Sequence, residues 1–501
     1  MNLVHIKMKK MKQNKITIIG SGISGIAAAI RLAAKGHKVL VLEQNKVAGG
    51  KIGQIKHDGF RFDTGPSLFT LPKLVDDLLN IDNPHKGHYF NYKKLENTCR
   101  YFYEDGTIIN APSEASEFAD EVAAKTTEPK DNVKEYLISA KKLYNATADI
   151  FIFNPLNRAF ETAKRIAPSA LRPLLKINPL RTMHGENSRW FKSDHVIQLF
   201  DRYATYNGSS PYLAPSVLKV ISHLEHNTGA YFPEKGMYNI VEMLYQKAIG
   251  LGVEFRFGTE ATGLIINNNN TISGIKTKKG DIKTDIVVSD IDVNTFYRHT
   301  GRELTKPRAV KKSSLSSSAI IFYWGMERTF PELDIHNILF SKDYKGEFDA
   351  IFHKRELFPD PTVYIFISSK VVKTDAPEGC ENWFVMINVP SPENKFRKEH
   401  INTARQNVIE KIQKVLNINP EIHIRFEEVA TPETIQTFTG SFKGALYGNN
   451  SNSIWSAFLR HKNRSSKYRN LFFTGGSVHP GGGIPLCLAS AGIVEKEIER
   501  I

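Results

Sequence analysis

Three glycines at the spacing G-x-G-x-x-G, Gly20, Gly22 and Gly25, interrupt the stretch "KITIIGSGISGIAAAIRL" at residues 15–32. No other feature limits the fold of this chain so sharply. Before the glycines, Ile16, Thr17, Ile18 and Ile19 form the β-branched run expected of a buried parallel strand. After them the pattern predicts a helix, with Ala27, Ala28 and Ala29 small enough to lie close against a sheet. A second strand, "HKVLVLE", ends at Glu43, about 20 residues beyond the glycines. Gly20 permits the tight turn, Gly22 lets backbone approach a pyrophosphate, and Gly25 lets helix and strand pack closely. The helix N-terminus offers free N–H groups to the phosphates, and Glu43 offers an acceptor to a ribose hydroxyl. The motif alone arises by chance. With strand, helix, second strand and terminal acid in register, it predicts a dinucleotide-binding unit.

The residues after Glu43 favour FAD over a nicotinamide cofactor. In "QNKVAGGKIGQIKHDGFRFDTGPSLFTLP", Gly49 and Gly50 make a second tight turn and Lys51 sets a cation beside it, suited to phosphate charge. The far end of the chain, "NLFFTGGSVHPGGGIPLCLASAGIVEKEIER", reads as a short strand, a glycine-rich turn and a closing helix. Gly481, Gly482 and Gly483 leave backbone amides bare at that helix start, where a flavin's carbonyl edge fits. The "HPGGG" string resembles a lipase oxyanion loop. That loop precedes its nucleophile, and no G-x-S-x-G elbow occurs here, so the hydrolase reading fails.

At 501 residues the chain has room for two or three folding units. Cys99, Cys380 and Cys487 stand far apart with no CxxC pair, which excludes a zinc ribbon or disulfide framework and fits a reducing cytosol. A formal net charge of +15 favours anionic partners, and with no nucleic-acid reader motif present a membrane surface is the better candidate. No stretch reads as membrane-spanning, and the basic leader "MNLVHIKMKKMKQNK" is not expected to be a secretory signal. His223 and His226 in "HLEH" lie one helical turn apart without a third ligand, so no metal site is expected. Tyr323 and Trp324 read as packing residues.

With cofactor-binding halves at both ends, the fold class is α/β: a discontinuous Rossmann-type FAD-binding domain with an inserted α+β substrate domain. Residues 11–90 begin the FAD-binding domain, 221–300 continue it and 431–501 close it. Residues 91–220 read as a helical, membrane-facing substrate insertion. Residues 301–430, with "SAIIFYWGM", "PTVYIFISSK" and "WFVMINV", read as a sheet-floored substrate domain. Within the first insertion, residues 151–192 mix large apolar side chains with arginine and lysine and almost no acids, a composition suited to an anionic bilayer.

The motifs "GSGISGIAAAIRL", "AGGK", "GFRFDTGPSLFTLP", "CRYFYEDGT", "ATYNGSSPYLAP", "HLEHNTGAYFPEKGMYNI" and "HPGGGIP" occur in the order found in a known family. The chain resembles the carotenoid and phytoene desaturases, within the FAD-dependent amine-oxidase-like flavoproteins. "RFDTGPSLFTLP" and "HLEHNTGAYFP" are more similar to the 1-hydroxycarotenoid 3,4-desaturase branch. The resemblance implies FAD contacts at Gly20, Gly22, Ser24, Gly25, Glu43, Lys51, Ser67, Leu68, Gly476 and Ile484. It adds Ala261, where relatives often carry valine, Asp290 in the "VVSD" turn, and Gly475, where relatives often pair glycine with aspartate. Thr205, Tyr206 and Asn207 are implied as substrate-lining residues.

The implied activity is desaturation of a carotenoid, with hydride passing to flavin N5 and a proton lost from the neighbouring carbon, and no catalytic base is assigned. The implied partners are the carotenoid, the cytoplasmic membrane surface, and oxygen or a quinone as electron acceptor. Phytoene desaturation or carotenoid isomerisation is the alternative within enzymes. A non-catalytic lipid-group chaperone of the GDP-dissociation-inhibitor type is the alternative outside them.

Overall fold

In a computed structural model of the chain, the residues described are 13–83, 90–155, 181–307, 310, 314–392, 396–453, 456 and 460–501. Most of the basic leader, and residues 156–180 of the basic apolar stretch, lie outside them.

The first strand β1 (Lys15–Ile19), the helix α1 (Ile23–Ala34) and the second strand β2 (Lys38–Leu42) form the expected right-order unit. β1 is the middle strand of a five-stranded parallel sheet, flanked by β2 and Glu254–Arg256 on one side. Ile286–Ser289 and Leu471–Phe473 complete the other side, so the sheet draws on three distant parts of the chain. α1 is buried between this sheet, the helix Tyr238–Gly250 and the closing helix Ile484–Ile498. That position explains its alanines: Ala27, Ala28 and Ala29 are each 0% exposed, and larger side chains would push three elements apart.

Beside this layer, Ala261–Ile266, Ile272–Thr277 and Ile282–Lys283 make a small antiparallel sheet. Asn267–Asn270 supply its first turn, with Asn270 in the left-handed region at φ 56°.

The second large sheet has seven strands. Its order is Ile424–Ala430, Ser318–Met326, Glu381–Val389, Val363–Ile367, His336–Leu339, Asn97–Phe102 and Ile108–Pro112. The insertion read as helical therefore begins with a hairpin, turned at Gly106, that completes the sheet of the other insertion. The join is the parallel pairing of Asn97–Phe102 with His336–Leu339. Ser318–Met326 is buried along its whole length, which is why "SAIIFYWGM" shows no alternation. Trp324 and Trp383 pack on the face covered by the helix Lys398–Leu416. The helices Ala115–Lys125, Lys130–Phe151, Met183–Trp190 and Asp194–Asp201 follow the hairpin, and their apolar side chains share a core with it. The short pairing of Tyr92–Lys94 with Tyr231–Pro233 ties the entry of this insertion to its exit.

Candidate flavin and substrate site

The glycine turn is built by contact rather than by flexibility alone. Gly20 adopts φ 101° and donates its N–H to the Leu42 carbonyl (2.8 Å). A Cβ on Gly25 would collide with the Gly20 carbonyl oxygen, so α1 can start this close to β1 only with glycine there. The Gly49–Gly50 turn packs directly on the first: Gly49 donates to the Ser21 carbonyl (2.9 Å), and a Cβ on Gly50 would stand 3.2 Å from the Gly22 Cα. The second glycine pair thus has a steric reason that its spacing did not disclose.

These turns border a cavity of about 840 Å³ that reaches both ends of the chain and the seven-stranded sheet. Gly20, Gly22, Ser24, Glu43, Lys51, Ser67 and Leu68 line it, as do Ala261, Asp290, Gly475, Gly476 and Ile484. Thr205, Tyr206 and Asn207 border the same space. Gly25 stands behind the wall, where its role is helix–strand packing.

Several side chains have prior commitments that define what they can offer. Glu43 is 5% exposed and accepts from the Ser21 N–H and hydroxyl (both 2.8 Å) and from the Asn45 N–H (2.8 Å). Its two oxygens have acceptor capacity left for a ribose hydroxyl. The Ser24 hydroxyl is turned away, bonded to Thr474 and donating to the Cys487 carbonyl (2.8 Å), which leaves its backbone N–H for a ligand. Lys51 donates to the Leu446 carbonyl (2.6 Å), and burial lowers the pKa of its ammonium. The Asp290 carboxyl sits among glycines: a Cβ on Gly22 or Gly475 would lie 2.5 or 2.7 Å from its oxygens. Burial raises its pKa well above the usual carboxylate range, although the Gly25 and Gly22 N–H groups bond to it.

Sequence reasoning missed Arg460. It is 4% exposed, lines the cavity, and among the described residues donates only to neutral groups, including the Tyr447 carbonyl (3.1 Å) and the Ser451 hydroxyl (3.4 Å). Burial without a carboxylate partner lowers its pKa to about 10. A buried cation of this kind suits an anionic or electron-rich ligand. With the glycine cradle and the acceptor site left on Glu43, the residues present fit a flavin dinucleotide.

His223 and His226 are held by packing: His226 stacks on Phe118 at 4.1 Å and bonds to the Tyr203 hydroxyl (2.7 Å), while His223 leans on Tyr144. Glu347, also on the cavity wall, receives the Thr362 N–H (2.9 Å) and hydroxyl (2.6 Å). Burial raises its pKa from 4.5 to about 7. Between those values the folded chain keeps a proton that the unfolded chain releases, so its stabilising effect is complete at low pH and fades as pH rises through the window. Glu347→Gln is expected to remove a slope of up to about 1.4 kcal/mol per pH unit from the stability difference between variant and wild type. Urea midpoints from pH 4 to 8 measure it, and parallel profiles would refute the assignment.

The fold and this site define a class. The pattern described as flavin containing amine oxidoreductase matches residues 23–494, and the chain belongs to that family, as an FAD-dependent oxidoreductase. Among its relatives is the 1-hydroxycarotenoid 3,4-desaturase of Flavobacterium sp. (strain P99-3), 46% identical over 96% of this chain and 98% of that protein. The 4,4'-diaponeurosporene oxygenase of Staphylococcus haemolyticus (strain JCSC1435) is 30% identical over 98% of each chain. Solved structures share the fold at low identity. A putrescine oxidase mutant has a TM-score of 0.62 at 12% identity, covering 97% of this chain and 98% of its own. A Rab GDI from Plasmodium falciparum has a TM-score of 0.56 at 13%, covering 97% and 98%.

Proposed function

We propose that the protein desaturates a carotenoid, introducing the 3,4 double bond of a 1-hydroxycarotenoid. The observation that carries this reading is the cavity itself, which runs from the glycine turns into walls of Ile221, Leu224, Ile338, Phe348, Phe384 and Met386. Such walls suit a long hydrocarbon and give little to a small polar amine. The 46% identity to a 1-hydroxycarotenoid 3,4-desaturase supports the same substrate class.

FAD, when bound, accepts the hydride. The chain's own part is to align the polyene between the sheet and the helices and to keep water out. Glu225 and Glu347, acids of this wall, are already occupied by protein donors. Conjugation spreads the charge that develops at C4 and makes the proton on C3 acidic, so a weak acceptor, such as a neutral hydroxyl or a water at the cavity mouth, is enough to take it.

Residence on the cytoplasmic face of a membrane, with oxygen or a quinone as acceptor, completes the reading. Its supports are the +15 charge and the basic apolar stretch 151–192, whose first residues Phe151, Ile152 and Phe153 border the cavity. Among the described residues no helix is long and apolar enough to cross a bilayer. In anionic liposomes carrying a 1-hydroxycarotenoid, the purified protein is expected to sediment with the vesicles and shift the pigment absorption to longer wavelength. An unchanged chromatogram under air and with added quinone alike would sink the reading.

A further inference from the structure

A hydrocarbon tunnel needs no polar groups on its walls, yet two linked polar clusters border this one. In the first, Arg202 and Glu225 are 7% and 2% exposed and joined at 3.1 Å. Arg202 also donates to the Tyr206 hydroxyl (3.0 Å), which donates to Glu225 (2.6 Å), and Tyr203 and Thr98 donate to Glu225 at 3.2 Å. The second is a chain of three: the Ser67 hydroxyl meets the Tyr364 hydroxyl at 2.6 Å, and Tyr364 meets His336 Nδ1 at 2.8 Å. All of Ser67, Tyr364, His336, Tyr206, Arg202 and Glu225 line the cavity. Arg202 and Glu225 act electrostatically on both Tyr364 and His336, so the clusters share one neighbourhood.

Two atoms are left over. His336 Nε2 and Arg202 Nε are both buried and, among the described residues, have no hydrogen-bond partner. A buried polar atom without a partner costs about 1–3 kcal/mol, and folded proteins leave few of them. The charge of Arg202 is already balanced by Glu225, and burial keeps His336 neutral by lowering its pKa to about 4. The surroundings therefore suit a neutral ligand group rather than a carboxylate. A hydroxyl offers one donor and two acceptor sites, and the Ser67–Tyr364–His336 chain can take either role by turning its O–H bonds.

We propose that these residues form an anchor for a hydroxyl group on the substrate terminus, with Tyr364 and His336, whose Nε2 lacks a partner among the described residues, as its contacts and Ser67 helping to set the direction of the Tyr364 proton. The inference rests on the carotenoid reading and deepens it: a hydroxyl at C1 is two carbons from C3, so gripping it fixes which bond reaches the flavin. Tyr364 and His336 are specificity-determining residues, held by the pairing of His336–Leu339 with Val363–Ile367 and stacked on one another, with His336 also stacked on Phe366.

The test is binding, read by quenching of protein fluorescence in the FAD-loaded protein in detergent micelles. The ligands are a C1-hydroxylated acyclic carotenoid and its hydroxyl-free counterpart of equal conjugated length. Wild type is expected to prefer the hydroxylated form about tenfold, a difference of about 1.4 kcal/mol. Tyr364→Phe and His336→Phe are expected to bring the ratio close to one without weakening the hydroxyl-free ligand or releasing flavin. If Tyr364→Phe fails to hold flavin, His336→Phe decides. Equal wild-type affinities, or a tenfold preference kept by the variants, overturn the anchor. Turnover measured alongside separates the two readings. Oxidation of the hydroxylated pigment with equal affinities sinks the anchor alone, and a tenfold preference without oxidation sinks the desaturation alone.

Discussion

Arg61→Leu is expected to cost about 3–5 kcal/mol of stability, because it leaves two buried carboxylates without their cation. Arg61 lies in the strand Phe60–Asp63 and forks between two acids, each with a side chain 1% exposed. It donates to Asp375 at 2.6 and 2.5 Å and to Asp63 at 2.9 and 3.2 Å. Asp63 in turn accepts the Met237 and Tyr238 N–H groups (2.9 and 3.0 Å) at the start of the helix Tyr238–Gly250. The Arg61 carbonyl takes the Asn382 amide (2.5 Å) from the seven-stranded sheet. Arg61 therefore couples the layer of the parallel sheet to the seven-stranded sheet. Burial opposes its charge, but the two acids outweigh that and raise its pKa. Lysine supplies one point charge where a planar fork is needed, so Arg61→Lys should recover only part of the loss. Urea unfolding followed by flavin fluorescence measures both variants, and a leucine variant within about 0.5 kcal/mol of wild type would show that the network is dispensable.

What the sequence made legible was local or familiar. β1, α1, β2 and Glu43 follow from a periodicity and spacing confined to about thirty residues, and the family motifs carried the FAD cofactor and the α/β class. The remainder depends on long-range pairing. Asn97–Phe102 lies beside His336–Leu339 with more than two hundred residues between them, and no local signal announces that register. Tyr364 and His336 lie 28 residues apart on paired strands and Ser67 stands 297 residues from Tyr364, so their hydrogen-bonded chain had no sequence trace. Arg460 looked like one arginine among many, because only its burial without an acid distinguishes it. The hairpin at 97–112 did have a signal, the Asp105–Gly106 turn between alternating residues, and the abundance of helix formers after it obscured that signal.

Gly25→Ala is expected to weaken flavin binding strongly, although it adds a single methyl group. The added carbon would meet the Gly20 carbonyl oxygen and stand 2.9 Å from the Asp290 carboxyl. Neither neighbour can yield freely. The Gly20 backbone is pinned by its bond to Leu42, and Asp290 is walled by Gly22 and Gly475. α1 must therefore lift from β1, and the closing helix that packs on α1 moves with it. Forced shifts in a packed core cost about 1–3 kcal/mol, which corresponds to about 5–150-fold weaker flavin binding if the displacement falls on the bound state. The variant should purify pale, with its flavin band restored only by excess FAD. Alanine at Gly36, exposed and with nothing within 4 Å of the added carbon, controls for the loss of a glycine as such, although its φ of 84° adds some local strain. A Gly25→Ala protein as yellow as wild type at equal concentration would mean that the close approach of helix and strand is not what holds the cofactor.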